Sequence, residues 1–367
     1  MTTILIKNAK TVNNELIDIY IVNNKIKEVA AKIDIDANQT IDLKGMSYVS
    51  AGWIDSHVHC NAELPLYYDS PDEIGYKKGV TTVVDAGSNG ILNIEKFLDN
   101  VSICKTNVYA LLNISESGIV RQDELSDLNN IKPEWIKKMI QKHADKIIGL
   151  KARMSASVVG DNDIEPLKLA KNIQKDNHNL PLMVHIGSAP PSLEAILELL
   201  DKGDIVTHCF NGKKNGIVSS QNEIKDFVKK AYNKGIIFDI GHGTDSFNFK
   251  VAEIAIKDHI NATTISTDIY HKNRLNGPVH DMATTLEKLI AVGYDLGNVI
   301  DKITTFPAEV LHLANKGKLE AEYDADITIF DVVNKKDILI DSNGNIKETT
   351  IKIVPKKVLI GGIVYDL

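Results

Sequence analysis

Along the chain, short runs of β-branched and apolar residues alternate with longer stretches in which apolar positions recur every three or four residues among Lys and Glu. The first pattern has the period of a strand and the second that of an amphipathic helix. Residues 3–8, 15–22 and 25–29 are β-rich and are separated by Asn-Asn pairs at 13–14 and 23–24, which predicts a small antiparallel meander. From about residue 52 the texture changes to alternating β and α units. Eight inner strands are expected, at 53–58, 81–85, 108–113, 147–151, 182–185, 205–208, 236–240 and 263–267. The helices expected with them fall at 134–143, 165–176, 192–201, 222–234, 247–258, 280–291 and 297–301. After residue 317 the β pattern returns at 326–330, 351–359 and, past Gly361-Gly362, at 363–365. Eight βα units predict an α/β chain with a TIM (β/α)8 barrel over 52–316. The two β-rich ends, 1–51 and 317–367, are expected to meet as a small β-sandwich domain, since chain termini commonly lie close together.

Composition narrows the function classes. With 367 residues and 43% hydrophobic content, the chain can bury a large core. The 42 basic and 49 acidic residues leave a net charge of −7, which argues against a general nucleic-acid or anionic-membrane surface. A small-molecule partner is the expectation. Cys60, Cys104 and Cys209 have no CxxC spacing, so neither a disulfide framework nor a thiolate zinc cluster is indicated, and a reducing cytoplasm suits them. No signal-like start is visible, and no stretch approaches the roughly 18 apolar residues of a membrane span. A cytoplasmic, unanchored protein is therefore expected.

Several expected strands end in residues that carry chemistry. His57 and His59, in Asp55-Ser56-His57-Val58-His59, stand two apart on a strand and so face the same way, able to converge on one ion. Two hydrogen-bonded core histidines would give the same pattern. Lys151 ends the fourth strand, where a buried ammonium must lose its charge or find anions; snorkelling to solvent is the bland alternative. Once neutral, its amine can add carbon dioxide to give an anionic carbamate, a ligand able to bridge two cations. His185 and His208 end successive strands 23 positions apart (208 − 185), one βα unit, at the end where barrels place their chemistry. Asp268 ends the eighth strand, where an isolated Asp is usually a helix cap.

Four histidines, a lysine and an aspartate at the ends of strands one, four, five, six and eight resemble the amidohydrolase superfamily, in particular its binuclear members. The resemblance covers nearly the whole chain. Val49-Ser50-Ala51-Gly52-Trp53-Ile54-Asp55 is similar to the family's lead-in to strand one, and Phe306-Pro307-Ala308 with Asp324-Ala325-Asp326-Ile327 to its exit into the small domain. One departure is Glu322, which stands where a glycine is usual before Asp-Ala-Asp. The resemblance implies two divalent metal ions, zinc foremost. His57, His59 and Asp268 would hold one, His185 and His208 the other, and carboxylated Lys151 and a hydroxide would bridge them. Asp268 would shuttle the proton.

The segment 149–155 and Gly241-His242-Gly243 are most similar to a dihydroorotase-like subgroup that includes deacetylases. That implies hydrolysis of the amide or ester of a small N-acyl or O-acyl carboxylic acid, with a cyclic amidase second and an adenine-deaminase-like aminohydrolase third. A dihydroorotase proper is expected to carry Arg and Asn just after HxH, whereas here Cys60 precedes Asn61. Arg153 is a candidate for the substrate carboxylate or for fixing its loop. His242, Tyr270 and Arg274 are further substrate candidates, with His271 and Asn276 beside them ahead of Gly277-Pro278. Barrels of this kind often self-associate, but no interface signal is present. Cys60 and Cys209 are expected in the core.

Overall fold

The computed structural model describes residues 1–367. Seven parallel strands, Trp53–Val58, Val80–Ala86, Asn107–Asn113, Ile147–Met154, Leu182–Ile186, Ile205–Thr207 and Ile237–Asp239, pair in sequence order. The eighth expected strand departs from regularity. Residues 263–269 make single parallel bridges, Thr264 with Asp239 and Ile269 with Val58. Amide hydrogens of His242 and Gly243 donate to Ser266 and Thr267 on one side, while Asp268 N–H donates to His57 O on the other, so the ring closes. The physical reason for the irregularity is side-chain competition: Asp55 accepts from both the amide and the hydroxyl of Thr267, replacing a ladder partner. This is the (β/α)8 barrel expected from the pattern.

Amphipathic helices clothe the barrel, among them Pro133–Lys142, Glu165–Asp176, Asp226–Lys234, Phe249–Lys257 and Met282–Ala291. Polar caps set several starts: the side chains of Ser192, Asn248 and Asp281 each accept an amide three residues on. The helix expected from 222 begins only at Asp226, because Ile224 is used in a bridge to Val218. A continuous cluster of 64 buried apolar residues underlies the barrel, whereas a separate cluster of 12, including Ile4, Ile19, Ile21 and Ile327, lies within the terminal sheet. A third cluster of nine, including Ile54, Val84, Leu111, Met183 and Ile205, is formed by barrel-strand residues with Ala308, Leu311 and Leu313.

The terminal sheet draws on both chain ends, in the order Ile363–Asp366, Ile346–Ile360, Ile327–Ile340, Tyr48–Ala51, Thr3–Lys10, Leu16–Val22, Lys25–Ala30, with Gln39–Asp42 paired to Thr3–Lys10. Glu322 adopts φ +70°, the left-handed conformation for which glycine is preferred, which explains why a glycine is usual there. The strands Ile327–Ile340 and Ile346–Ile360 run far beyond the expected 326–330 and 351–359. Their alternation is broken by Asn334-Lys335-Lys336 and Lys356-Lys357, so the sequence pattern understates them. The hairpin lies along the barrel: Leu339, Ile353 and Phe330 join the barrel core, and buried Glu287 accepts the Ile353 amide at 2.8 Å. Its tip reaches the barrel mouth, where Ser342 Oγ donates to Gly243 O at 3.0 Å and Asp341 accepts the Phe249 amide. No helix is long and apolar enough to cross a membrane.

Candidate active site

The strand order brings all six sequence-predicted side chains to the carboxyl end of the barrel. His57 Nε2 lies 3.4 Å and His59 Nε2 3.1 Å from Asp268 Oδ1, and Lys151 Nζ lies 3.0 Å from His57 Nε2. The His57 and His208 rings are 5.2 Å apart and the His185 and His208 rings 4.5 Å. One donor atom each from His57, His208 and Asp268 fall within 4.8 Å of one another. His57, Lys151 and His208 are almost wholly removed from solvent.

Burial decides their charge. It holds His57 and His185 well below the ordinary imidazole range and His208 at about 4, so all three are neutral. Lys151 falls to about 7, because desolvation of its ammonium outweighs the attraction of Asp268 and Asp239. Its amine hydrogen-bonds only His57 Nε2 and Met183 Sδ. Burial pushes the Asp268 carboxyl up, but the His59 contact and the nearby His208 and Lys151 hold it below its ordinary value, so it is ionised.

The backbone is shaped around this cluster. His208 and Asp268 sit at φ +72° and +50°, left-handed positions that a non-glycine residue occupies only under restraint from its surroundings. A Cβ at Gly243 would fall 2.4 Å from Asp268 Oδ2, one at Gly241 2.2 Å from Thr207 Oγ1, and one at Gly87 2.5 Å from Lys151 Cγ. The glycines make the space the cluster occupies. Gly87→Ala, at φ +82°, is therefore expected to displace the Lys151 stem, costing roughly 1–3 kcal/mol of stability and at least about tenfold in kcat. Thermal melts and steady-state kinetics check this, and unchanged values for both would refute it.

Neutral imidazoles, an ionised carboxylate and a buried amine that loses its proton near neutrality suit divalent cations, so these residues are the ones that could hold metal. His57, His59, Lys151, His185 and Asp268 line a cavity of about 400 Å³ together with Tyr67, Arg153, Lys213, Tyr270 and Lys272. Tyr270 stands in this lining with its ring edge-on to Tyr67 at 4.9 Å and its hydroxyl 3.0 Å from Thr244 Oγ1. Arg153 also lines it, but its Nη1 donates to both oxygens of buried Glu124 at 3.1 Å, so its charge is already met.

Two of the expected substrate residues lie outside the cavity lining. His242 does not line the cavity: it is fully buried, stacks on Phe247 and faces Lys288 Nζ at 2.9 Å. Arg274 does not line it either, because its guanidinium forks onto Asp69 at 2.7 and 3.0 Å. Cys60 and Cys209 are core residues. The sequence pattern missed Lys213 and Lys272, which carry no local signature. It also missed Asp239 and Thr207, detectable only as polar residues inside apolar strands.

The family described as the Deacetylase-like composite domain matches residues 319–366. Over 99% of both chains, the sequence is 56% identical to a protein of Enterococcus faecalis named deacetylase. The chain belongs to the deacetylase family of the amidohydrolase superfamily. Among solved structures, the deacetylase-family chain superposes with a TM-score of 0.99 on a crystal structure described as an adenine deaminase, at 55% identity over 100% of each chain. A dihydroorotase crystal structure gives a TM-score of 0.91 at 35% identity, over 100% of this chain and 98% of that one. The deacetylase-family chain is thus a hydrolase acting on C–N bonds.

Proposed function

We propose that the chain is a zinc-dependent deacylase that hydrolyses the amide or ester bond of a small N-acyl or O-acyl carboxylic acid. The observation that carries this reading is the pair of lysines, Lys213 and Lys272, which line the metal-cluster cavity alongside Asp245 and form no ion pair. With Arg153 satisfied by Glu124, these two are the cations left for a substrate, and a carboxylate is their natural complement. The name of the Enterococcus faecalis relative points the same way.

In this reading His57, His59 and Asp268 would hold one divalent ion and His185 and His208 the other, with Lys151, as a carbamate, completing the donor set. The ions would supply Lewis acidity, which polarises a carbonyl and makes water a nucleophile at neutral pH. The chain's own residues do the rest. Asp268, ionised at its Oδ1 and Oδ2, accepts the proton of the attacking water and returns it to the leaving nitrogen or oxygen. Lys213 and Lys272 hold the substrate carboxylate, and Tyr67 and Tyr270 supply an apolar wall.

Two other readings have specific support and specific objections. Cyclic amide hydrolysis is suggested by the dihydroorotase neighbour, but Asn61, the residue after HxH that would meet such a substrate, is buried and donates to Asn89 Oδ1 at 2.6 Å. Adenine deamination is suggested by the structure at 55% identity, yet a neutral purine leaves both lysines without a partner. Metal-loaded enzyme prepared with bicarbonate should turn over N-acetyl amino acids or acetylated hydroxy acids in a panel that includes dihydroorotate and adenine. Turnover confined to either of the last two overturns the proposal. Lys213→Met should raise KM about 10–100-fold for the carboxylate substrate and leave kcat within a few-fold, the value of one charged hydrogen bond.

A further inference from the structure

Asp239 is fully buried at the end of the seventh barrel strand, in Ile236-Ile237-Phe238-Asp239-Ile240, and no lysine or arginine pairs with it. Its carboxylate gathers three hydroxyls from neighbouring strands: Thr207 and Ser266 donate to Oδ2 at 2.7 Å each, and Thr264 donates to Oδ1 at 2.6 Å. Burial pushes the Asp239 carboxyl up and the three hydroxyls oppose that push; with all three donating to it, the carboxylate only accepts, and the direction of these protons is fixed.

Two of the three hydroxyls lead to cluster histidines. Thr207, having given its proton to Asp239, offers an oxygen lone pair to His57 Nδ1 at 2.9 Å, so His57 carries its proton on Nδ1. Ser266, likewise committed, accepts the Gly241 amide at 3.0 Å, and Gly241 O lies 2.6 Å from His208 Nδ1, which must donate to it. In both rings Nε2 is left as the lone-pair nitrogen. The third hydroxyl, that of Thr264, leads to neither ring.

We propose that Asp239 is a positioning residue that, through Thr207, sets the tautomer of His57 and, through Ser266 with Gly241, the orientation of His208, so that both present Nε2 to the metal site. The inference rests on the ligand assignment above for its metal arm, and its tautomer arm stands without it. Outer partners of this kind typically govern metal affinity by 10–100-fold. Here one carboxylate serves two rings assigned to different ions, which couples the two halves of the site.

Chelator competition on the full-length enzyme measures the metal arm. Thr207→Val removes the acceptor of His57 Nδ1–H and should weaken metal binding at least about tenfold. Thr207→Ser, which keeps the hydroxyl, should restore it. Thr264→Val removes a donor to the same carboxylate on no route to a histidine and should change affinity less than threefold. Equal losses for Thr207→Val and Thr264→Val would overturn the proposal as a mere packing effect, and so would full affinity in folded Thr207→Val. Histidine side-chain nitrogen NMR on metal-free enzyme measures the other arm. Wild type should show His57 protonated at Nδ1, and Asp239→Asn should shift it toward Nε2–H. An unchanged tautomer in Asp239→Asn also overturns the proposal. If that variant does not fold, the same shift is read in Thr207→Val. Wild-type enzyme that takes up no metal would sink the ligand assignment while leaving the tautomer result to judge Asp239.

Discussion

Asp268→Asn is expected to lower kcat by roughly 10²–10⁴-fold, the usual contribution of a positioned proton acceptor, while leaving the fold intact. The backbone makes this substitution a clean one. Asp268 sits at φ +50°, and asparagine is among the few residues that tolerate the left-handed region. The amide has the shape of the carboxylate, and Gly243, with no Cβ, leaves it the same space. What changes is the chemistry, since the amide cannot take a proton, while its oxygen can still face His59, whose Nε2 lies 3.1 Å from Oδ1. Steady-state kinetics with circular dichroism decides the matter. Turnover within tenfold of wild type in a folded variant would remove Asp268 from the proton-transfer role.

Lys151→Met should act in opposite directions on activity and stability. Loss of the amine removes the carbamate and with it the group joining the two halves of the site, so kcat should fall by at least about 10²–10³-fold, a loss comparable to deleting a key electrostatic group. Metal-free stability should rise. The folded amine titrates at about 7 against an ordinary 10.5, so between those values the unfolded chain binds more protons and wild-type stability increases with pH. The penalty for burying this lysine is therefore greatest at and below neutrality and fades toward pH 10.5. Methionine has no such penalty and fits beside Met183, so the melting temperature near pH 7 should rise by about 2 °C or more and lose this pH slope. Labelled bicarbonate should give a carbamate carbon signal in wild type and none in the variant. Full turnover with two ions bound to Lys151→Met would contradict the assignment.

The barrel and its six convergent side chains were legible because each strand end repeats one local grammar, an apolar run closing on a polar residue. His57 with His59, and His185 with His208, need only strand geometry and βα spacing to be placed in one mouth. Other features depend on contacts between distant segments. Whether Arg153 meets a substrate or fixes its loop depends on Glu124, 29 positions away, which takes its charge, and the setting of His242 depends on Lys288 and Phe247, which enclose it. The irregular eighth strand has the same origin, because Asp55 reaches across 212 positions to occupy Thr267. The length of the terminal hairpin was hidden by the lysines that interrupt its alternation, residues that keep its free edges soluble.

The hairpin tip also gives the order of synthesis a meaning. Ser342, which holds the mouth loop through Gly243 and exchanges hydrogen bonds with Phe247, is added 99 positions after Gly243. A nascent chain can therefore complete every strand that carries a cluster residue and still lack the clasp on the loop that abuts Asp268. The last-made part of the chain is thus the part that comes to rest at the barrel mouth.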